Sequence, residues 1–304
     1  MKILVTGGAG FIGSHIVDLL VQNNYEVCVI DNLMHGKKTN VNPKATFYNI
    51  DIRSKDIFKI FDKEKPQVLI HEAAQINVAN SISNPSLDAD INIMGTINLL
   101  EAAKKTGVKK IIYPASAAIF GEPEYLPIDE KHPLKMLSFY GASKHTVEHY
   151  LDIYNKLYNI NYIVLVYSNV YGPRQDSSGE GGVVSIFCEN ILKGISPHIY
   201  GDGNQTRDFV YVKDVANANL LSVGFGKTGI YNVSTNKSTT INEVFKKINA
   251  LSYKDVSAIY CKQREGDILN SYMSYNKLLL AMNWKPKYSL TSGLKETLKF
   301  YNSK

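Results

Sequence analysis

The chain has 304 residues, 44% of them hydrophobic and 20% charged. That apolar share excludes a mainly disordered chain, and the length corresponds to about two domains or one large one. A net charge of +6, dispersed along the chain, excludes the concentrated basic stripe of a nucleic-acid binder and suits a small anionic ligand.

In chain order, β-branched runs predict strands over Lys2–Thr6, Glu26–Ile30, Ala45–Tyr48, Gln67–Ile70, Lys110–Tyr113 and Asn161–Val166. Helix-period segments lie between them, over Phe11–Gln22, Ser54–Asp62, Leu87–Lys105 and Tyr140–Leu157. This alternation predicts an α/β fold, a doubly wound parallel sheet with helices on both faces. After about Ser168 the pattern loosens into loops rich in Gly, Pro and Asn, which predicts a smaller C-terminal domain. Cys28, Cys188 and Cys261 contain no CxxC pair and describe neither a disulfide framework nor a zinc site, so a cytoplasmic location is expected. No run approaches the ~18 apolar residues of a membrane span. Gly7, Gly8, Gly10 and Gly13 break the apolar N-terminus, so no signal peptide is expected either.

The opening strand runs into glycines at 7, 10 and 13 and then directly into a helix. Glycine lets backbone amides approach a pyrophosphate, and the helix N-terminus adds partial positive charge. The strand Glu26–Ile30 ends at Asp31, where a carboxylate accepts hydrogen bonds from a ribose and repels a 2′-phosphate, which favours NAD over NADP. Lys37 and Lys38, a few residues on, keep an NADP alternative open.

With this glycine spacing the chain resembles the extended short-chain dehydrogenase/reductase superfamily and its NAD-dependent epimerase/dehydratase family. The resemblance implies a Rossmann domain over residues 1–167, joined by about 208–234, and a mainly UDP-sugar-binding domain over 168–304. It places Gly7, Gly10, Phe11, Ile12 and Gly13 at the cofactor phosphates, Asp31 and Asn32 at the ribose, and Asp51 and Ile52 at the adenine. Ala73, Ala74 and Gln75 line the phosphate–ribose side, and Asn92, Tyr140, Lys144 and Tyr167 complete the cofactor set, with Lys144 also holding the cofactor ribose. Asn92 ties its helix to the active-site strand.

Tyr140 and Lys144 lie about 40° apart around one helix, on a single face. A nearby ammonium, with a positive nicotinamide, lowers the phenol pKa and makes Tyr140 a general base. Ser116, just past its strand, faces the crevice where open α/β sheets bind ligands. Dehydratases of the family carry an Asp-Glu pair after this hydroxyl residue and decarboxylases a Glu; here stand Ala117 and Ala118. The resemblance therefore implies a UDP-hexose 4-epimerase that interconverts UDP-glucose and UDP-galactose through transient C4 oxidation by bound NAD. A UDP-glucuronate 4-epimerase and a non-catalytic NAD-binding sensor are the alternatives.

For substrate, the resemblance assigns Ser116 and Tyr140 to the sugar, Asn169, Arg207 and Arg264 to the diphosphate, and Asp267 to a ribose. Val184 lies at a helix start near the uridine, Tyr200 beside the uracil, and Ser271 at a position whose small side chain leaves room for a 2-N-acetyl group. That room extends the expected substrates to UDP-GlcNAc and UDP-GalNAc. The helices Leu87–Lys105 and Tyr140–Leu157 resemble those of a four-helix interface, implying a homodimer. His145-Thr-Val-Glu148-His149 matches a zinc-protease pattern. Both histidines fall at about 140–180° from Tyr140 around the helix, and they are read as surface or interface residues, with no metal.

Overall fold

The computed structural model describes residues 1–178, 182–263 and 268–303. Its backbone forms two compact units. The first comprises Met1–Ile119, Leu134–Val166 and Ala216–Tyr231; the second comprises Phe120–Pro133, Tyr167–Val215 and Asn232–Lys304.

In the first unit, strands β1 (Lys2–Thr6), β2 (Glu26–Asp31), β3 (Thr46–Asn49), β4 (Val68–His71), β5 (Lys110–Ser116) and β6 (Asn161–Tyr167) form a sheet with a last strand, Gly229–Val233. The sheet order is Gly229–Val233, β6, β5, β4, β1, β2, β3. β1 pairs in parallel with β2 and β4, β2 with β3, and β4 with β5. Covered on both faces, β1 and β4 read as unbroken apolar runs: Ile3, Leu4, Val5 and Ile70 have no exposed surface. Each such side chain contributes about 1.5–3 kcal/mol by leaving water. The chain winds outward from β1 to β3 and then crosses back to β4. The C-terminal ends of β1 and β4 therefore flank the switch point at which such sheets bind ligands.

Helices α1 (Phe11–Gln22), α2 (Ile57–Glu64), α3 (Val78–Ser83), α4 (Pro85–Ala89), α5 (Gly95–Thr106) and α6 (Phe139–Tyr158) belong to the same unit. The stretch expected as one helix over Leu87–Lys105 is α4 and α5 joined by a five-residue π-turn, Asp90–Met94. α5 ends at Gly107 in the left-handed conformation, φ +78°, which glycine adopts without a Cβ penalty. Ser138 caps α6 by accepting from the Gly141 N–H at 3.1 Å. Lys110 sends a buried Nζ to the carbonyls of Ser222, Val223 and Phe225 and so closes the end of the helix Val212–Gly224.

The second unit takes in two segments that the sequence reading placed in the Rossmann domain. Residues 120–133 lie in it because the Ile128 N–H donates to the Tyr272 carbonyl at 3.0 Å and the Asn232 N–H to the Glu130 carboxylate at 2.8 Å. Residues 208–215 lie in it because Phe209–Tyr211 pairs in parallel with Asn169–Tyr171. Two further short pairs, Thr206–Arg207 with Thr239–Thr240 and His198–Tyr200 with Ile259–Cys261, complete its strands among the described residues. Trp284 fills its interior and donates to the Asp214 carbonyl at 3.1 Å. Among the described residues no helix is long and apolar enough to cross a membrane.

Candidate active site

The turn between β1 and α1 is drawn tight. Gly7 has φ +68°, and a Cβ on it would come within 2.7 Å of the Ala73 amide nitrogen. A Cβ on Gly13 would overlap the Gly7 carbonyl, so the third glycine lets α1 press against the turn. Gly10, at the N-cap of α1, brings no side chain to the first helical N–H groups. Those groups are left for an outside acceptor. Phe11 and Ile12, half-buried, open the helix.

Asp31 ends β2 and is buried. Its Oδ2 accepts from the Ala9 N–H at 3.0 Å and its Oδ1 from the Leu33 N–H at 2.8 Å. The carboxylate thus closes the glycine turn as well as standing at the expected ribose position. Asn32 donates to Asp51 at 2.9 Å, and Arg53 grips both oxygens of Asp51 and reaches Asp90 at 2.7 Å. The Arg53 guanidinium holds the Asp51 carboxyl well below the usual carboxylate range. Ile52 is buried, and its side chain fills the space beside Gly95 of α5.

The loop after β4 brings Ala73 alongside the glycine turn, with Ala74 next in sequence, and the Ala73 N–H donates to Thr6 Oγ1 at 3.2 Å. Gln75 turns its amide inward. Its Nε2 donates to Asp88 at 2.8 Å and to the Asn77 carbonyl at 2.9 Å, and its Oε1 accepts from the Asn77 N–H. Asn92, carried by the π-turn, accepts from the Gln75 N–H at 2.8 Å and donates to Ser143 Oγ at 3.1 Å. It ties its helix to this loop and to α6, rather than to the active-site strand as expected.

Ser116 is the last residue of β5, and Tyr140 and Lys144 stand on the first turns of α6. Burial pushes the Tyr140 phenol up to about 12, against a hydrogen bond with Ser116 that pulls it down. Burial also drags the Lys144 ammonium below the ordinary lysine range, while Glu72 and Asp88 push it back up. Lys144 Nζ sits over the Tyr113 ring, 4.7 Å from its centroid. The expected lowering of the phenol requires the positive nicotinamide of bound NAD as well as Lys144; without it, burial is the leading influence on Tyr140.

In the second unit the Asn169 N–H donates to the Asp208 carbonyl at 2.9 Å. Arg207 directs Nη1 to the Thr206 and Ile268 carbonyls at 2.8 and 2.7 Å, and the Ser271 N–H donates to the Thr206 carbonyl at 3.2 Å. Arg207 and Ser271 are thereby brought together. Val184, in the first turn of its helix, is 1% exposed. Tyr200 is half-buried and ends its short strand; Tyr167 is buried at the end of β6. Arg264 and Asp267 lie outside the described residues.

A model of the NAD dependent epimerase/dehydratase family matches residues 3–234. The chain belongs to that family. Solved structures agree along its whole length. A UDP-glucose 4-epimerase of Thermotoga maritima, with UDP-glucose, has a TM-score of 0.97 at 44% identity, covering 100% of this chain and 99% of that one. The Thermus thermophilus UDP-glucose 4-epimerase, in complex with NAD, has a TM-score of 0.94 at 41% identity and covers 99% of each chain. A UDP-N-acetylglucosamine 4-epimerase of Methanobrevibacter ruminantium, in complex with UDP-N-acetylmuramic acid, has a TM-score of 0.95 at 38% identity, covering 99% of this chain and 98% of that one.

The residues of this epimerase-family chain fit a dinucleotide: a turn that no Cβ could enter at Gly7, a helix end without a side-chain cap, and a carboxylate at the end of β2. Three polar residues, Arg53 and His71 in the first unit and Asp208 in the second, had not been singled out from the sequence. Arg53 carried a signal in its spacing from Asp51. His71 carried none: it joins Thr6 of β1 at 2.7 Å to Thr96 of α5 at 2.9 Å. Asp208 carried none either. Its carboxylate accepts from Thr235 N and Oγ1, Asn236 N, Met273 N and Ser168 Oγ. The zinc-like pattern lies on α6, where His145 Nδ1 is 3.2 Å from Glu148 and the His145 and His149 rings meet edge to face. Among the described residues, no group of three or more His, Cys, Asp or Glu side chains could hold a metal ion.

Proposed function

We propose that the protein is an NAD-dependent UDP-hexose 4-epimerase that interconverts UDP-glucose and UDP-galactose. The observation that carries this reading is the Ser116–Tyr140–Lys144 group at the end of β5 and the start of α6, with Ala117 and Ala118 where dehydration would need acids. Gly7, Gly10 and Gly13 hold the cofactor phosphates, Asp31 the ribose, and Asp51 with Ile52 the adenine. When bound, NAD supplies the acceptor for the C4 hydride and gives the same hydride back. Tyr140 takes the C4-hydroxyl proton, directly or through Ser116, and returns it after the 4-keto sugar has presented its other face. Lys144 supplies positive charge beside the phenolate as it forms, which offsets the desolvation that holds the resting phenol high. Asn169 and Arg207 hold the diphosphate while the sugar turns.

A wider substrate range is supported by Ser271, whose side chain is small, and by the likeness to the UDP-N-acetylglucosamine 4-epimerase. The protein works as a cytoplasmic homodimer paired through α5 and α6; Ile153 and Leu157 of α6 are 49% and 66% exposed, and sedimentation as a monomer would refute the pairing. Proton NMR of the purified protein with UDP-galactose, UDP-GalNAc and UDP-glucuronate in turn tests the whole reading. Appearance of the C4 epimer of UDP-galactose supports it; conversion of UDP-glucuronate alone would move the assignment to a uronate epimerase.

A further inference from the structure

Asp88, on α4, is 1% exposed. Its Oδ1 accepts from Gln75 Nε2 at 2.8 Å and Asn92 Nδ2 at 3.2 Å. Its Oδ2 is also buried and has no hydrogen-bond partner among the described residues. A buried carboxylate oxygen without a protein donor is costly to folding, so a function is the natural reason for retaining it. The partners of Oδ1 lead into the site. Asn92 continues to Ser143 Oγ at 3.1 Å, and Ser143 Oγ donates to the Tyr140 carbonyl at 3.1 Å. A buried polar chain thus joins the carboxylate to the helix that carries Tyr140 and Lys144.

One other carboxylate acts there, and on Lys144 its effect is larger than that of Asp88. Glu72 follows β4 and acts on the same pair. His71 of β4 is kept neutral by burial and by Lys144, Tyr113 of β5 is a buried neutral phenol, and Glu148 lies further along α6. The field of Asp88 reaches both Tyr140 and Lys144 and raises the proton affinity of each.

We propose that Asp88 is a positioning residue that, with Glu72, tunes the charge state of the Tyr140–Lys144 pair, a buried carboxylate anchored through the Gln75–Asn92–Ser143 chain. This rests on the reading of Tyr140 and Lys144 as the catalytic pair. Removing one negative charge lowers the proton affinity of phenol and ammonium together. In Asp88→Asn, both limbs of the pH–rate profile for epimerisation therefore move to lower pH, by about one unit. Ser143→Ala breaks the chain but keeps the charge; it lowers the rate and leaves both limbs in place.

A second readout does not depend on turnover. In [13Cε]lysine-labelled protein, the Lys144 resonance, identified by its loss in Lys144→Met, titrates at lower pH in Asp88→Asn than in the wild type. Should Asp88→Asn fold poorly, Asp88→Ser gives the same shift. Lower activity with unmoved limbs and an unmoved lysine titration overturns the proposal. A wild-type protein that epimerises no sugar nucleotide overturns the functional reading instead, and the lysine titration still decides the role of Asp88.

Discussion

The N–H of Asn169 donates to the main-chain carbonyl of Asp208 at 2.9 Å, and the Asp208 carboxylate holds the Thr235–Asn236 turn and Met273. One buried residue thus fixes Asn169, neighbours Arg207 in sequence, and anchors Met273, two residues past Ser271. We expect Asp208→Asn, which points an amide at backbone N–H donors, to raise KM for the UDP-sugar about tenfold. NAD retention should not change. The mismatch should cost about 2–4 kcal/mol of stability in urea unfolding. An unchanged KM would show that Asp208 serves folding alone.

Tyr140→Phe removes the proton acceptor and keeps the ring. Turnover should fall by about 10²–10⁴-fold. NAD bound per protein, measured after acid release, should match the wild type.

His71 makes stability depend on pH. Burial and the nearby Lys144 charge push its ionisation down to about 3 from the ordinary 6.5. Between those values the unfolded chain binds a proton that the folded chain refuses. Stability present above pH 6.5 is therefore lost as pH falls toward 3, by up to about 1.4 kcal/mol per pH unit. His71→Gln should be less stable at neutral pH, with a visibly flatter dependence between pH 6.5 and 4, as read by denaturant titrations across that range.

Gly13→Ala places a methyl group against the Gly7 carbonyl. The turn must open to admit it, and the amides facing the cofactor phosphates move with it. We expect several-fold lower NAD content in the purified protein and a reduced melting temperature. Full NAD content would mean that α1 shifts without disturbing the turn.

Six of the seven strands were legible as β-branched or apolar runs, and β1 and α1 have the bounds that the pattern predicted; Gly229–Val233 was not read as a strand, and β3 is only partly buried. The motif residues at the glycine turn and on α6 were legible because their spacing is local. What depends on contact between distant segments was not. The inward turn of Gln75 needs Asp88, the bridge through His71 needs Thr6 and Thr96, and the five bonds of Asp208 come from three separate stretches.

The π-turn at Asp90–Met94 has a consequence for how this protein tolerates change. Asp88, Asn92 and Thr96 recur every fourth residue, and in a plain α-helix each would be rotated about 40° from the last. The looser turn takes up that drift, so the three reach Gln75, Ser143 and His71 in succession. Deleting one residue between 90 and 94 would restore a regular helix and throw this ladder out of register. Here a more ideal backbone would make a poorer enzyme.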